Sequence, residues 1–438
     1  MPAPTPTLTF APEPVRVTLK STAQATSLRE LVESRCPSLF SKCRPPWWLR
    51  SGHLQTLYAV VGDFSKQDQV WYQRRLLRLL DGGTLGLDFT PADSNSVPPD
   101  APIIVVNHGL TGGSHEPYVR AILAPACTPV SQGGLGYRAV VVNFRGCSGV
   151  PITSPKFYTA AQTDDLRQAL MFISSLYPDA PLLGLGFSIG GNVMMRYLAE
   201  EGPRSRLSSA CILGCPWDLV TNHDHLLHTL LGRQLYLRGM GTNVTTLFAH
   251  HHTSFLANPE HPASPLVPTI LRLKRPTLTD FDHIFTCHAS GAAPFPFPSF
   301  REYYTWASSH DIADAVRVPV LTINAADDPI VRRVQTPDSK GRENRWVVCA
   351  VTPMGGHLGW FAKGKGKRRW TTGPVLEWME LLGRDVVREE FGQENEEMYT
   401  DEEGFLRVAR WPALGCKEVP GGGVINGNRP ETELFQGL

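Results

Sequence analysis

Three side chains able to serve as nucleophile, acid and base occur in this order along the chain: Ser188, then Asp327 or Asp328, then His357. A serine hydroxyl becomes a strong nucleophile when an imidazole can take its proton, and a carboxylate holds that imidazole in the required tautomer. Serine, acid, histidine is one of the chain orders in which this arrangement occurs. The three can act together only if the fold brings them within hydrogen-bond distance.

The sequence around Ser188 predicts a strand, a tight turn and a helix. Residues 186–190 read G-F-S-I-G, an apolar run precedes them, and residues 193–200 have apolar residues at helical spacing. In a G-x-S-x-G turn the serine has a strained backbone, and glycines stand where side chains would clash as strand and helix pass closely. We therefore predict Ser188 as the nucleophile.

The candidate acid and base each follow an apolar run. The acid lies directly after residues 320–323, and we favour Asp328 over Asp327 because Pro329 and an aliphatic residue follow it. Asp327 is the alternative acid; if Asp328 is used, Asp327 caps the turn. His357 follows the last apolar run and has glycines on both sides. Since parallel strands end at one sheet edge, we expect acid and base to meet Ser188 there.

A developing oxyanion needs preorganised N–H donors. One predicted donor is the backbone of Ile189, which follows the nucleophile. The other is the backbone of Leu110, in the glycine-rich loop after the first apolar run. We expect His108, in the same loop, to brace the turn.

The elements that would position these residues alternate between strand and helix, which predicts a mostly parallel, doubly wound α/β sheet. A hairpin is expected from residues 69–79 and 84–89, and an amphipathic helix from Asp164 to Tyr177. The buried strands are expected at residues 103–106, 139–142, 182–185, 210–213, 320–323 and 347–351.

The interval from about Trp217 to His310 has short helical stretches and no clear buried strand, so we interpret it as a helical lid over the site. The expected organisation is an N-terminal arm (1–45), a first core part (46–216), the lid (217–310), a second core part (311–386) and a flexible C-terminal tail (387–438).

Composition excludes several classes. The 438 residues carry a net charge of +1, which gives no general attraction to nucleic acid. The nine cysteines include no C-x-x-C pair, and the histidines lack a zinc-site pattern. We expect reduced thiols, no metal, no cofactor, no transmembrane segment and a cytoplasmic location, with peripheral binding to lipid droplets or membranes as the alternative.

Six short motifs lie at the loops described above or near them. They are S-G-H-L-Q-T at 51–56, N-H-G-L-T-G-G at 107–113, N-F-R-G-C-S-G at 143–149, residues 186–190, A-A-D-D-P at 325–329 and G-H at 356–357. Together these motifs resemble the YheT-like α/β-hydrolases, a family of esterases and lipases that includes yeast medium-chain fatty acid ethyl ester synthase/esterases. The resemblance implies Ser188, Asp328 and His357 as a catalytic triad and a medium-chain acyl group.

We therefore predict a serine hydrolase that cleaves a small-molecule fatty acyl ester through an acyl-enzyme. An alcohol O-acyltransferase with the same triad, in which an alcohol replaces water, is the first alternative. A catalytically silent binding protein with this fold is the second, and peptidase or thioesterase activity is a third. The sequence sets no oligomeric state.

Overall fold

In the computed structural model, residues 5–289, 294–363, 368–387 and 396–428 are described. Within these ranges, twelve strands form one sheet in the order β1-β11-β10-β9-β8-β6-β7-β5-β4-β14-β13-β12, and β2 pairs with β3 in a separate ribbon. The strands are β1 (Thr7–Phe10), β2 (Arg16–Thr18), β3 (Ala25–Ser27), β4 (Trp71–Leu79), β5 (Thr84–Thr90), β6 (Ile103–Asn107), β7 (Arg138–Asn143), β8 (Leu182–Phe187), β9 (Ser209–Leu213), β10 (Val320–Ala325), β11 (Val347–Thr352), β12 (Met398–Thr400), β13 (Leu406–Val408) and β14 (Cys416–Asn426).

The six central strands, β11 to β7 in that order, are parallel. Their side chains alternate between two apolar layers. Ile104 and Val106 of β6 face one layer, and Ile103 and Val105 face the other. Because both faces are covered, each central strand consists almost entirely of buried residues. The predicted mostly parallel, doubly wound sheet is confirmed.

Helices cover both faces of the sheet. α1, α3 and α13 contribute to the first layer, and α4 and α5 to the second. The helices are α1 (Leu28–Arg35), α2 (Gly52–Val61), α3 (Pro117–Cys127), α4 (Asp164–Leu176), α5 (Ile189–Glu201), α6 (Leu219–His228), α7 (Arg238–His250), α8 (His252–Leu256), α9 (Val267–Leu271), α10 (Leu278–Phe281), α11 (Cys287–Ala289), α12 (Phe300–Ala307) and α13 (Thr372–Glu380). None of the helices described is long and apolar enough to cross a membrane.

The chain between β9 and β10 contains α6 to α12 joined by loops and, in its described residues 214–289 and 294–319, no strand; residues 290–293 lie outside the described ranges. Its aromatic residues form a cluster with Phe144, Phe157 and Tyr158, which belong to the loops after β7. These helices therefore pack on the carboxyl side of the sheet, where the lid is expected.

Both ends of the chain contribute more to the sheet than expected. β1 pairs antiparallel with β11, so part of the predicted N-terminal arm is an edge strand. β14 pairs antiparallel with β4, with a bulge between Val419 and Gly423. Gly421, Gly422 and Gly423 all have positive φ, so the glycine run that indicated a loose tail is the bulge itself. This corrects the expected flexible tail for residues 396–428; residues 388–395 and 429–438 lie outside the described ranges.

Candidate active site

Ser188 lies in a sharp turn between β8 and α5. Its backbone angles are φ 51° and ψ −122°, a region that costs free energy for a residue with a side chain. Its amide donates to the Leu213 carbonyl of the neighbouring strand at 2.9 Å, which holds the turn in place. The strained turn, together with β8 and α5 around it, is the local structure that the G-x-S-x-G spacing predicts.

The glycines of this turn are required by close approach. A Cβ at Gly186 would lie 2.7 Å from Cα of Gly191, and a Cβ at Gly190 would lie 2.3 Å from the His108 carbonyl oxygen. Both contacts are with backbone, which cannot rotate away as a side chain can. The helix can therefore start directly beside the strand only because these positions lack side chains.

The structure brings Ser188, His357 and Asp328 into one hydrogen-bonded line. His357 Nε2 lies 2.7 Å from Ser188 Oγ, and His357 Nδ1 lies 2.8 Å from Asp328 Oδ2. Since an ionised carboxylate only accepts, Nδ1–H donates to Asp328, which leaves Nε2 to accept from the serine hydroxyl. All three residues are buried at the carboxyl edge of the sheet.

The two adjacent aspartates have different contacts. Asp328 Oδ2 accepts from His357, and its Oδ1 accepts from the amides of Ile330 and Val331 at 2.8 and 3.0 Å. Asp327 Oδ1 instead accepts from the amides of Gly355 and Gly356, at 2.8 and 2.9 Å. Burial raises the pKa of Asp327 above its ordinary value, and these amide bonds oppose that rise. Asp327 thus ties the acid loop to the histidine loop.

The helix α2 supports the His357 loop, a contact that sequence reasoning did not assign. The Thr56 hydroxyl accepts from the His357 amide at 2.8 Å and donates to the Gly52 carbonyl at 2.8 Å. A Cβ at Gly52 would lie 1.9 Å from the Asp327 carbonyl oxygen. The S-G-H-L-Q-T motif was noticed only through the family resemblance; its contacts with the acid and histidine loops depend on the tertiary fold.

Two further side chains hold the loop after His357. The Arg369 guanidinium donates to the carbonyls of Leu358 and Gly359, and the Gln55 amide oxygen accepts from Phe361 N–H at 3.0 Å. Arg369 ends a basic run that reads as a solvated loop, yet burial lowers its pKa to about 10. The Arg369 guanidinium therefore lies inside the protein and binds two backbone carbonyls.

The predicted oxyanion donors lie beside Ser188. Leu110 and Ile189 both line the cavity that contains Ser188 and His357. The loop of Leu110 is fixed from below, because Gly109 N–H donates to Tyr118 and Thr111 N–H donates to Tyr158. The Leu110 amide itself donates no backbone hydrogen bond within the described residues, so it can donate to a bound oxyanion.

His108 braces this loop as a neutral side chain. Its Nδ1 lies 2.7 Å from the Gly109 carbonyl oxygen, and its Nε2 accepts from Phe144 N–H at 3.1 Å. Complete burial lowers the pKa of His108 to about 4, so the ring stays uncharged at neutral pH. Both ring nitrogens are used in binding backbone, which leaves no role for His108 in proton transfer.

A mostly apolar cavity, partly open to solvent, lies over the serine. The sheet side supplies Ser188 and His357, and the helices between β9 and β10 supply aliphatic and aromatic side chains such as Leu226, Met240 and Phe281. In the described ranges, no group of three or more His, Cys, Asp or Glu side chains is placed to hold a metal ion. The cavity can accommodate an extended apolar group next to the Ser188 hydroxyl, which is hydrogen-bonded to His357.

Comparison with known proteins agrees with the observed fold. Residues 102–264 match a family model described as an alpha/beta hydrolase fold. The embryogenesis-associated protein EMB8 of Picea glauca is 30% identical over 357 residues, which cover 80% of this chain and 74% of that protein.

Two proteins of Saccharomyces cerevisiae are similar over most of their length. Its monoacylglycerol lipase is 27% identical, covering 82% of this chain and 86% of its own. Its medium-chain fatty acid ethyl ester synthase/esterase 2 is 29% identical, covering 85% of this chain and 93% of its own. The names of both proteins describe reactions of fatty acyl esters.

Proposed function

This chain belongs to the α/β-hydrolase family and is an enzyme of its lipase and esterase type, and from that premise we propose that it hydrolyses fatty acyl esters with Ser188 as nucleophile. The observation that carries the proposal is the hydrogen-bonded line from Ser188 Oγ through His357 to Asp328, at 2.7 and 2.8 Å. This geometry is the one needed for a base to activate a serine hydroxyl.

In the first step, Ser188 Oγ attacks the ester carbonyl carbon while His357 Nε2 takes the hydroxyl proton. The carbonyl oxygen becomes an oxyanion, which the amides of Leu110 and Ile189 stabilise. The imidazolium then gives its proton to the alcohol oxygen, and the bond between that oxygen and the acyl carbon breaks. Asp328 stays ionised and keeps His357 oriented.

In the second step, His357 takes a proton from water, and the water oxygen bonds to the acyl carbon. The bond between that carbon and Ser188 Oγ then breaks, His357 returns the proton to Oγ, and a fatty acid is released. The two steps together consume only the ester and one water, and His357 ends in the protonation state in which it began. The cavity supports an acyl chain as the bound group, since its walls are mainly apolar. A medium chain length rests on the family resemblance.

The proposal is tested by product analysis with ethyl decanoate and purified enzyme. We expect decanoic acid and ethanol to appear, and we expect Ser188→Ala to reduce the rate by at least about 10⁴-fold with the fold unchanged by circular dichroism. Parallel assays with decanoyl-CoA and a peptide test thioesterase and peptidase activity. Ester hydrolysis that survives Ser188→Ala would rule out the proposed nucleophile, and no turnover of any ester would favour the silent binding protein.

Alcohol acyl transfer is the second candidate function. It is favoured by the similarity to the yeast ethyl ester synthase/esterase, and it needs only that an alcohol attack the same acyl-enzyme in place of water. The two candidates are separated by supplying decanoyl-CoA and ethanol: accumulation of ethyl decanoate supports transfer, and decanoic acid alone supports hydrolysis.

A further inference from the structure

Helix α6 presents two buried polar side chains to the cavity over Ser188. Asn222 is 4% exposed and His223 is 5% exposed, and both line the cavity together with His357. Asn222 Nδ2 and His223 Nε2 have no hydrogen-bond partner in the part of the chain that the structure describes. A buried polar atom without a partner is destabilising, so these two atoms are matched to a polar group that enters the cavity.

The remaining polar atoms of both side chains are occupied, which fixes what each can offer. Asn222 Oδ1 accepts from the Arg332 amide at 2.9 Å, so the Nδ2–H donors are what Asn222 can still offer. His223 Nδ1 lies 3.2 Å from the Thr279 hydroxyl, which leaves Nε2 as its open atom. A donor and a ring nitrogen on adjacent residues suit a group that both accepts and donates, such as a hydroxyl.

The polar pair is matched to the alcohol moiety of the substrate and not to its acyl chain. Asn222 and His223 line the same cavity as Ser188 and His357. A fatty acyl chain carries no polar group beyond the ester, so it offers no partner to these atoms. In the proposed reaction His357 Nε2 protonates the departing alcohol oxygen, so the alcohol moiety lies in this cavity next to the imidazole.

A carboxylate in the same cavity limits the charge of the bound group. Asp282 is 7% exposed and lines the cavity, and its two oxygens accept from Thr286 at 2.6 Å and Tyr304 at 2.8 Å. An anionic head group such as a phosphate would be repelled by this buried charge, because like charges interact strongly in a low-dielectric site. An uncharged hydroxylated group meets no such barrier.

We propose that Asn222 and His223 form a subsite that binds a hydroxyl group on the alcohol moiety of the substrate, and that they thereby select esters of uncharged polyols. The inference rests on the proposed function, and it assigns specificity to residues outside the predicted triad. An ester of a simple alcohol such as ethanol leaves Asn222 Nδ2 and His223 Nε2 without partners. A site built to bind a hydroxyl rejects a substrate that lacks it more strongly than an apolar pocket rejects a substrate of the wrong size.

The test compares 1-decanoylglycerol with ethyl decanoate, two esters with the same acyl chain, both held below their critical micelle concentrations. For the unaltered enzyme we expect kcat/KM for the glycerol ester to exceed that for the ethyl ester by about 10-fold or more. His223→Phe keeps a ring in the same place and removes both nitrogens. It is expected to lower the ratio of the two kcat/KM values by about 5-fold or more.

The matched control is His228→Phe, the same substitution at an exposed position of the same helix, which should leave the ratio unchanged. Equal turnover of the two esters, or equal losses on both in His223→Phe, would overturn the subsite while hydrolysis dependent on Ser188 still stood. Binding of 1-O-decylglycerol and decyl ethyl ether to Ser188→Ala, measured by calorimetry, gives a readout independent of turnover. Tighter binding of the glycerol ether is expected, and equal binding would contradict the subsite.

Discussion

The two sides of the cavity are built in different ways. On the sheet side, each reacting group stands on a short loop directly after a strand, and close backbone contacts at Gly186 and Gly190 fix the nucleophile turn. On the lid side, the polar atoms belong to α6 and to residues near α10, and side-chain packing brings them together. The residues of the proposed triad therefore lie in local motifs, whereas the residues of the proposed hydroxyl subsite come together only through the tertiary fold.

The largest effect is expected on the sheet side, where the neighbouring aspartates should differ sharply. Asp328→Asn places an amide against His357 Nδ1 and disfavours the tautomer in which Nε2 can accept, so kcat should fall by about 10⁴-fold. Asp327→Asn keeps an oxygen that can accept from Gly355 and Gly356, so its kcat should fall by about 10-fold at most. Steady-state kinetics with ethyl decanoate measures both, and similar losses in the two variants would contradict the assignment of the acid.

A smaller loss is expected for the residue that positions His357 from outside the reacting line. Thr56→Val removes the acceptor for the buried His357 amide, and the resulting displacement of the loop should lower kcat by about 10- to 100-fold with little change in KM. Thr56→Ser keeps the hydroxyl and should retain activity within about threefold. If the valine and serine variants lose activity equally, the hydroxyl does not position the histidine.

The last effect is expected on stability and not on the reaction rate, and it concerns the helical side of the cavity. Burial raises the pKa of Asp282 from 3.8 to about 6, and each pKa unit corresponds to about 1.4 kcal/mol. Below pH 4 the carboxyl is protonated in both states and costs nothing; between pH 4 and 6 only the unfolded chain ionises, so stability falls as pH rises. Asp282→Asn should therefore gain about 2–3 kcal/mol relative to the unaltered protein on going from pH 4 to pH 7.

Urea unfolding at several pH values measures this difference. Asp314→Asn, the same substitution at an exposed position, is the control. A constant difference between Asp282→Asn and the unaltered protein from pH 4 to pH 7 would show that burial does not hold this carboxyl in its protonated form.

Much of the sheet side could be anticipated from the sequence because each feature is local. Apolar runs predicted the six parallel strands, and the G-x-S-x-G spacing predicted the turn at Ser188. The sequence favoured Asp328 but left Asp327 open, since two adjacent carboxylates differ only in the direction their loop gives them. β14 was missed because its glycine run, which forms a bulge, has the composition of a loop.

The contacts that depend on long-range packing could not be anticipated. The Thr56 hydroxyl accepts from the amide of His357, which is far away in the sequence. Arg369 ends a basic run, yet its guanidinium donates to a backbone carbonyl inside the protein. Nothing in the sequence around Asn222 and His223 shows that α6 buries both side chains. The helical period of a sequence shows which residues share a helix face, but it does not show which part of the protein that face contacts.

The central claim, that Ser188 is a hydroxyl activated by His357, is tested most directly by covalent labelling with a fluorophosphonate and mass spectrometry of the labelled peptide. The account predicts one adduct per chain, located on Ser188, with labelling abolished in Ser188→Ala and slowed by at least about 10³-fold in His357→Ala. An adduct on another residue, or labelling of Ser188 at an unchanged rate without the imidazole, would contradict it.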